Sequence, residues 1–315
     1  MKRCFGCYQL LKTSAHTGGY HKSCSKKLFE TDTPPEVNFG INDLEDLAKT
    51  SLNQHLSITG VQPKISVNLA RHETEPNHRL MIVGLWGSFI LKPPTKQFTD
   101  MSVIEDVTMH MARTLGIATA KHGLIQLKSG ELAYVTKRFD REKNGKKIAA
   151  EDFCQLSELL TESKYNTSTE KAGKIILKYS SNPGLDAITF FDLNLFSFIT
   201  GNADMHLKNF SLIRNKNGEF NFSPAYDLLS TKLLLAQDNE EMALTVNGKK
   251  AKIKREDFAS LAKNLKISDR AIENSFARLT KHIPEMKILI SNSFLSNKLK
   301  KKYEELIDLR ARSLR

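Results

Sequence analysis

The chain holds no apolar run long enough to span a bilayer, and its first residues lack the long hydrophobic core of a signal peptide. A membrane partner is therefore not expected, and the chain reads as cytosolic, in its own cell or in a recipient cell. Cysteine is scarce, at four in 315 residues, so a structural disulfide framework is not expected in that setting. No internal repeat and no low-complexity tract interrupts the sequence. The basic excess, 47 Lys and Arg against 35 Asp and Glu for a formal +12, is spread along the chain without an arginine-rich arm. Such a surface favours acidic partners such as nucleic acid, nucleotide phosphates or an acidic protein face, or is simply well solvated. Glycine-rich phosphate loops are missing as well. The nearest candidate, HLSITGVQPK at residues 55–64, carries only Gly60 and departs from both G-x-G-x-x-G and G-x-x-x-x-G-K-[ST].

What is present is an ordinary globular composition, 40% hydrophobic and 26% charged, in a chain long enough for one bilobal unit or two domains with a small appendage. Residues 1–30 hold three of the four cysteines. TDTPPE, with Pro34 and Pro35, marks a turn or linker. Residues 31–136 make a sheet-rich lobe, read mostly as strands from about 55 to 136, KISVNL, GSFILKP and ELAYVTKRF among them, with one helix near 102–115. Residues 137–315 turn helical from EDFCQLSELL onward. A sheet-rich lobe followed by a helical lobe, with a cleft between them, makes an α+β fold.

The sharpest chemical signal is GNADMHLKNF, residues 201–210. It follows DAITFFDLNLFSFIT, which is apolar on nearly all faces and reads as a buried helix stopped by Gly201. A loop launched from so rigid a base can hold side chains in register. Phosphoryl transfer needs a carboxylate to orient the attacking hydroxyl and further oxygens to hold Mg²⁺ on nucleotide phosphates. Asp204 and Asn209 supply one acid and one amide. A second acid, Asp227 in SPAYDLLST, follows a hairpin whose NKNG turn returns the chain to the same place. Acid, amide, hairpin and acid in this order is the arrangement of kinase-like folds. Upstream, Lys92 ends the strand GSFILKP where its ammonium can reach phosphates. Glu105, in the next helix, either pairs with Lys92 or simply favours a helix N-terminus.

In family order, SITGVQPK, FILKPP, KRFDRE followed by EDFCQ, GNADMHLKN and PAYDLLST resemble the HipA family of serine/threonine kinases, toxins of bacterial toxin–antitoxin systems. The resemblance covers roughly residues 50–260 and the C-terminal helices. It implies a bilobal protein-kinase-like fold that uses ATP and Mg²⁺. By that resemblance Asp204 is the catalytic base, Asn209 and Asp227 are the Mg²⁺ ligands, and Lys92 is the ATP-phosphate lysine. Lys137 and Phe139 fall at the adenine-binding hinge, Ser57, Ile58 and Thr59 in the nucleotide loop, and Lys64 and His206 near the phosphates. Ser57 and Thr59 occupy loop positions at which family members autophosphorylate, and Thr59 in place of a second serine leaves open which hydroxyl is modified. The chain is shorter than full-length HipA and resembles the compact HipT-like members, in which a separate small HipS-like protein supplies the missing part. The implied substrate is an aminoacyl-tRNA synthetase, and a HipB-like antitoxin would bring DNA only indirectly.

The same residues allow other readings. Ser57 and Thr59 could be strand-edge hydroxyls, and the lysine-rich tail could be a solvated helix face or a nucleic-acid arm. A kinase-like enzyme acting on a lipid or small molecule, and a non-catalytic antitoxin-binding subunit, are the competing functions. Separately, Cys4-x-x-Cys7 and His21-x-x-Cys24 give three sulfurs and one imidazole at the spacing of a small zinc site, or a set of reduced cysteines packed as small apolar groups. Cys154 is expected in the core.

Overall fold

Alternating apolar residues in KISVNL become strand β1 (Ile65–Arg71), paired antiparallel with β2 (His78–Ile82) and β3 (Phe89–Lys92). The computed structural model describes every residue except 1, 12–16, 45, 47–61, 72–77, 85, 143–144, 236 and 315. Ser57, Ile58 and Thr59 thus lie outside the described residues. The chain divides into two units, one of residues 1–107, 120–146 and 292–294, the other of residues 108–119, 147–291 and 295–315.

The first unit is built on a five-stranded sheet of order β2-β1-β3-β5-β4, where β4 is His122–Gln126 and β5 is Leu132–Lys137. Strands β4 and β5 are buried along most of their length, which suits the apolar HGLIQ and LAYVTK segments. Both edges of this sheet are covered by N-terminal chain. At β4, the Leu124 N–H donates to the Phe5 carbonyl (3.2 Å) and the Tyr20 hydroxyl donates to the Leu124 carbonyl (2.7 Å). At β2, Glu36 lies parallel, donating to His78 and accepting from Leu80. Edge strands left open recruit other strands, so this cover keeps the sheet from pairing further. Helix α1 (Lys22–Phe29) puts Leu28 and Phe29 into the same apolar cluster as Val67, Phe89, Leu91 and Val135. Helix α2 (Met101–Thr114) is buried from Met101 through Ala112 and exposes Arg113 in its last turn.

The second unit is largely helical. A three-stranded sheet of β6 (Ala150–Asp152), β7 (Ser211–Arg214) and β8 (Phe220–Phe222) runs in that order, and β7 and β8 form the expected hairpin. Around it lie α3 (Phe153–Leu156), α4 (Thr169–Tyr179), α5 (Pro183–Thr200), α6 (Thr231–Leu234), α7 (Arg255–Asn264), α8 (Asp269–Asn292) and α9 (Asn297–Ser313). Helix α5 opens with Pro183 at its first turn, where a missing N–H costs nothing. It is buried along its second half and ends at Gly201 in the left-handed region (φ 69°). A Cβ there would lie 2.7 Å from Leu306 and 3.0 Å from Lys232, so both conformation and space require glycine. Tail helix α9 buries Tyr303, Ile307 and Arg310 and leaves most of its lysines solvated. Cys154 is buried, as expected.

One aromatic cluster holds the helix, the small sheet and the loop together. The Phe190 ring of α5 meets Phe210 at 4.9 Å, Phe222 at 6.0 Å and Phe153 at 6.2 Å. All of Phe153, Phe190 and Phe210 are fully buried. Phe190→Ala is therefore expected to lower the unfolding free energy by about 3–5 kcal/mol, read from urea unfolding, because the ring's contacts are lost and a cavity is left.

Candidate functional site

The loop after α5 is tied down at each of its backbone turns. Beyond Gly201, the Asn202 N–H donates to the Ser197 carbonyl (2.8 Å), and the Asn202 side chain accepts from the Asp204 N–H (3.1 Å). The Thr231 hydroxyl of α6 accepts from the Ala203 N–H (2.9 Å). The Asn209 side-chain oxygen accepts from the His206 N–H (3.2 Å), while the Asn209 N–H donates to the His206 carbonyl (2.9 Å). Asn209 is thus a buried amide whose orientation the loop itself sets.

The second acid arrives on the strand side. Asp227 sits in the left-handed region (φ 56°), which Asp tolerates better than most residues. Its neighbour Tyr226 donates its hydroxyl to the Lys208 carbonyl (2.9 Å) and shares a hydrogen bond with Ser211 (2.6 Å). Two residues before Asp227, the Ala225 N–H donates to the Ala118 carbonyl (2.8 Å). Tyr226 therefore clamps the Asp227 segment to the residue that precedes Asn209. The two segments are 18 residues apart in sequence, and this clamp makes them neighbours.

Asp204 is exposed, while His206 and Asn209 are buried and Asp227 is half-buried. Burial lowers His206 from its ordinary 6.5 to about 4, with Asp204 and Asp227 acting electrostatically in the opposite sense and Lys164 in the same sense. Both carboxylates thus favour the charged form of this imidazole and are outweighed by its burial. The His206 Nδ1 is buried and, among the described residues, has no hydrogen-bond partner.

Tyr165 was not visible as a site residue in the sequence. Its hydroxyl donates to Asp204 Oδ1 at 2.5 Å, and its ring meets the His206 ring edge-on at 5.0 Å. Burial pushes the Tyr165 phenol up, and the Asp204 carboxylate adds to the shift. Among the described residues no donor meets the other Asp204 oxygen. No spacing rule links SKYNTS to a loop 39 residues later, so only the fold reveals the contact.

Lys92 and Glu105 lie in the first unit. Their side chains are buried and form an ion pair of 2.5 Å, and the Lys92 ammonium stands 5.4 Å from the centre of the Tyr134 ring. The structure thus favours the pairing role of Glu105 over that of a helix-end charge. Lys64 directly precedes β1 and is half-buried. At the end of β5, the Lys137 N–H donates to Lys121 (2.7 Å) and the Arg138 N–H to Ser88 (2.9 Å). The Lys137 side chain pairs with Glu30 (2.8 Å), and Phe139 is half-buried. Both of those N–H groups are spent within the unit.

Cys4, Cys7, His21 and Cys24 also come together, with their ligand atoms all within 4.8 Å of one another. Hydrogen bonds with Cys24 and Cys7 hold the Cys4 thiol low, and those with Cys4 and Cys7 push Cys24 up.

Residues 56–286 match the family model of the HipA-like C-terminal domain. The chain belongs to that family. Among its relatives is a putative kinase of Haemophilus influenzae, 25% identical over 294 residues, a span of 85% of this chain and 81% of the relative. The putative kinase Y4dM of Sinorhizobium fredii is 30% identical over 253 residues, covering 76% of this chain and 60% of the relative. In structure the chain is similar to HipA of Shewanella oneidensis MR-1, solved with HipB and operator DNA. That TM-score is 0.68 at 20% identity, covering 82% of this chain and 65% of HipA. It is also similar to the Helicobacter pylori proinflammatory kinase CtkA, with a TM-score of 0.55 at 18% identity over 79% of this chain and 93% of CtkA. These likenesses show a kinase-like fold. The chain spans about two thirds of the HipA it matches.

The His206 environment has a testable consequence. The folded chain holds this imidazole neutral, whereas the unfolded chain accepts a proton near pH 6.5, so its contribution to stability is present above that pH and is lost as pH falls toward 4. In urea unfolding between pH 6.5 and 4, His206→Gln is expected to lose stability less steeply than the wild type.

Proposed function

We propose that this HipA-like chain is an ATP-dependent serine/threonine protein kinase in which Asp204 orients and deprotonates the acceptor hydroxyl. The observation that carries this reading is the clamp from Tyr226 to Lys208, which holds Asp227 beside the loop bearing Asp204, His206 and Asn209. Asp204 is exposed and reaches a substrate hydroxyl with the oxygen that Tyr165 does not occupy. Tyr165 keeps the carboxylate turned to one side. A neutral His206 beneath it adds no competing positive charge near the acid.

The donor set fits a hard divalent cation. Asn209 presents an amide fixed by the loop backbone, and Asp227 a half-buried carboxylate, and both are oxygen ligands of the kind Mg²⁺ takes. When bound, the ion would neutralise charge on the transferring phosphoryl group. Lys92, oriented by Glu105 in the manner of the lysine–glutamate pair of protein kinases, is the residue assigned to the nucleotide phosphates. Phosphorylation of the chain itself is assigned to Ser57 or Thr59, and an aminoacyl-tRNA synthetase to the substrate role, on the family resemblance. A HipB-like antitoxin is the partner assigned, supported by the HipA solved with HipB and operator DNA. No helix among the described residues is long and apolar enough to cross a membrane.

Dephosphorylated protein incubated with Mg²⁺ and ATP is expected to gain phosphate by intact-mass measurement. Asp204→Asn is expected to slow that gain by about 10²–10⁴-fold, the usual contribution of a positioned general base. Wild-type protein that gains no phosphate on itself or on any protein in a lysate of its host would contradict the kinase reading.

A further inference from the structure

We propose that Cys4, Cys7, His21 and Cys24 bind one zinc ion, and that this ion fixes the turn by which the N-terminal module grips the β4 edge of the sheet. The inference does not rest on the kinase reading. It begins from donor chemistry: three sulfurs and one imidazole nitrogen fall within 4.8 Å of one another, at the tetrahedral complement of a structural zinc centre. The odd number of thiols fits a metal better than a disulfide pair, and all of them are free.

The imidazole is already turned for the task. His21 Nε2 lies 3.2 Å from the Leu10 carbonyl, which can only accept, so Nε2 carries the proton. Nδ1 therefore presents its lone pair, and it faces the Cys7 sulfur at 3.4 Å. A histidine whose second nitrogen donates to a backbone carbonyl is the usual outer arrangement of a zinc-ligating imidazole. The sulfurs are prepared in a similar way. The N–H groups of Gly6 and His21 point at Cys4 Sγ at 3.4 and 3.3 Å, and donors aimed at sulfur favour the thiolate, the form that binds metal.

The backbone of CFGCY closes a tight reversal around this point. The N–H groups of Cys7 and Tyr8 both donate to the Cys4 carbonyl, at 3.4 and 2.9 Å, and Tyr8 takes a left-handed φ of 61°. Arg3 and Leu10 bridge across the base of the turn. Gly6 is packed so closely that a Cβ would fall 2.7 Å from the Tyr20 ring. A segment this short has little core of its own, and metal ligation supplies the order that burial alone cannot. Cys7, His21 and Cys24 are only half-buried, which leaves an entry path for the ion.

The turn also carries the module's grip on the rest of the first unit. Phe5 and Tyr20, on either side of the sulfurs, hold both backbone groups of Leu124. Tyr8, directly after Cys7, donates its hydroxyl to Asp106 Oδ2 at 2.5 Å. The other oxygen of that buried carboxylate meets His122 Nδ1 at 2.7 Å. The neighbouring Glu105 is the partner of Lys92. Zinc at the sulfurs thus acts at a distance, by holding the residues that seat α2 against the sheet.

The full chain, purified under reducing conditions and dialysed against trace zinc, should carry about one zinc ion per chain by mass spectrometry of the elements, as a closed four-ligand site requires. Cys24→Ser and His21→Ala should lose it to background, while Cys154→Ala keeps it. Because the ligand variants could fail to fold, cobalt exchange into the wild type is the second measurement. It should give sulfur-to-cobalt charge-transfer absorption and the intense visible bands of a tetrahedral ion, and a chelator should lower the melting temperature. A reconstituted wild type with no stoichiometric zinc, or a full zinc content that survives Cys24→Ser combined with His21→Ala, would overturn the proposal. Neither result bears on whether the chain transfers phosphate.

Discussion

A helix that is apolar on nearly every face has to be buried, and the place where it stops is where polar chemistry can begin on rigid ground. In this chain that helix is α5, anchored by Phe190 against Phe153, Phe210 and Phe222 and halted at Gly201 by a left-handed turn that no side chain could share. Everything in the acid loop takes its position from that stop. Asn202, Thr231 and Asn209 then fix the loop backbone through hydrogen bonds of 2.9–3.2 Å. Hydrogen bonds to backbone groups at several points along one short loop hold it in one conformation.

Electrostatics and geometry work together in the loop. The exposed Asp204 is the group we propose to meet a substrate, and burial keeps the nearby His206 neutral. Tyr165 links the two by donating to the acid and packing its ring on the imidazole. Asp227 reaches the same place because Tyr226 bonds to the Lys208 carbonyl. In the first unit, Lys92 has lost nearly all of its water, and a buried ammonium persists only with its partner in place. Glu105 supplies that partner from α2, and Asp106, one residue on, ties the helix to Tyr8 and His122.

Much of the fold is legible in the sequence, for reasons that differ from residue to residue. Asp204, His206 and Asn209 stand within one short loop after a conspicuous apolar helix, so local spacing makes them candidates. Asp227 was readable because NKNG encodes a tight return, and β7 and β8 form that hairpin. The helix near residues 102–115 is α2, and the strands KISVNL, FILK and LAYVTK are β1, β3 and β5. Tyr165 and Tyr226 escaped notice because an aromatic residue in a polar stretch looks the same whether it faces water or clamps a site. The covering of the β4 edge by Phe5 and Tyr20 was equally hidden. Pairing between residues about a hundred apart leaves no periodic trace.

The central claim is that Asn209 and Asp227, brought together by the Tyr226 clamp, hold a divalent cation on a nucleotide. Calorimetric titration of the full chain with ATP, with and without Mg²⁺, tests this most directly. The account predicts that Mg²⁺ strengthens ATP binding in the wild type and that Asp227→Asn removes most of that dependence while the variant stays folded. Binding of ATP that is equally tight with and without the cation in both proteins would contradict it.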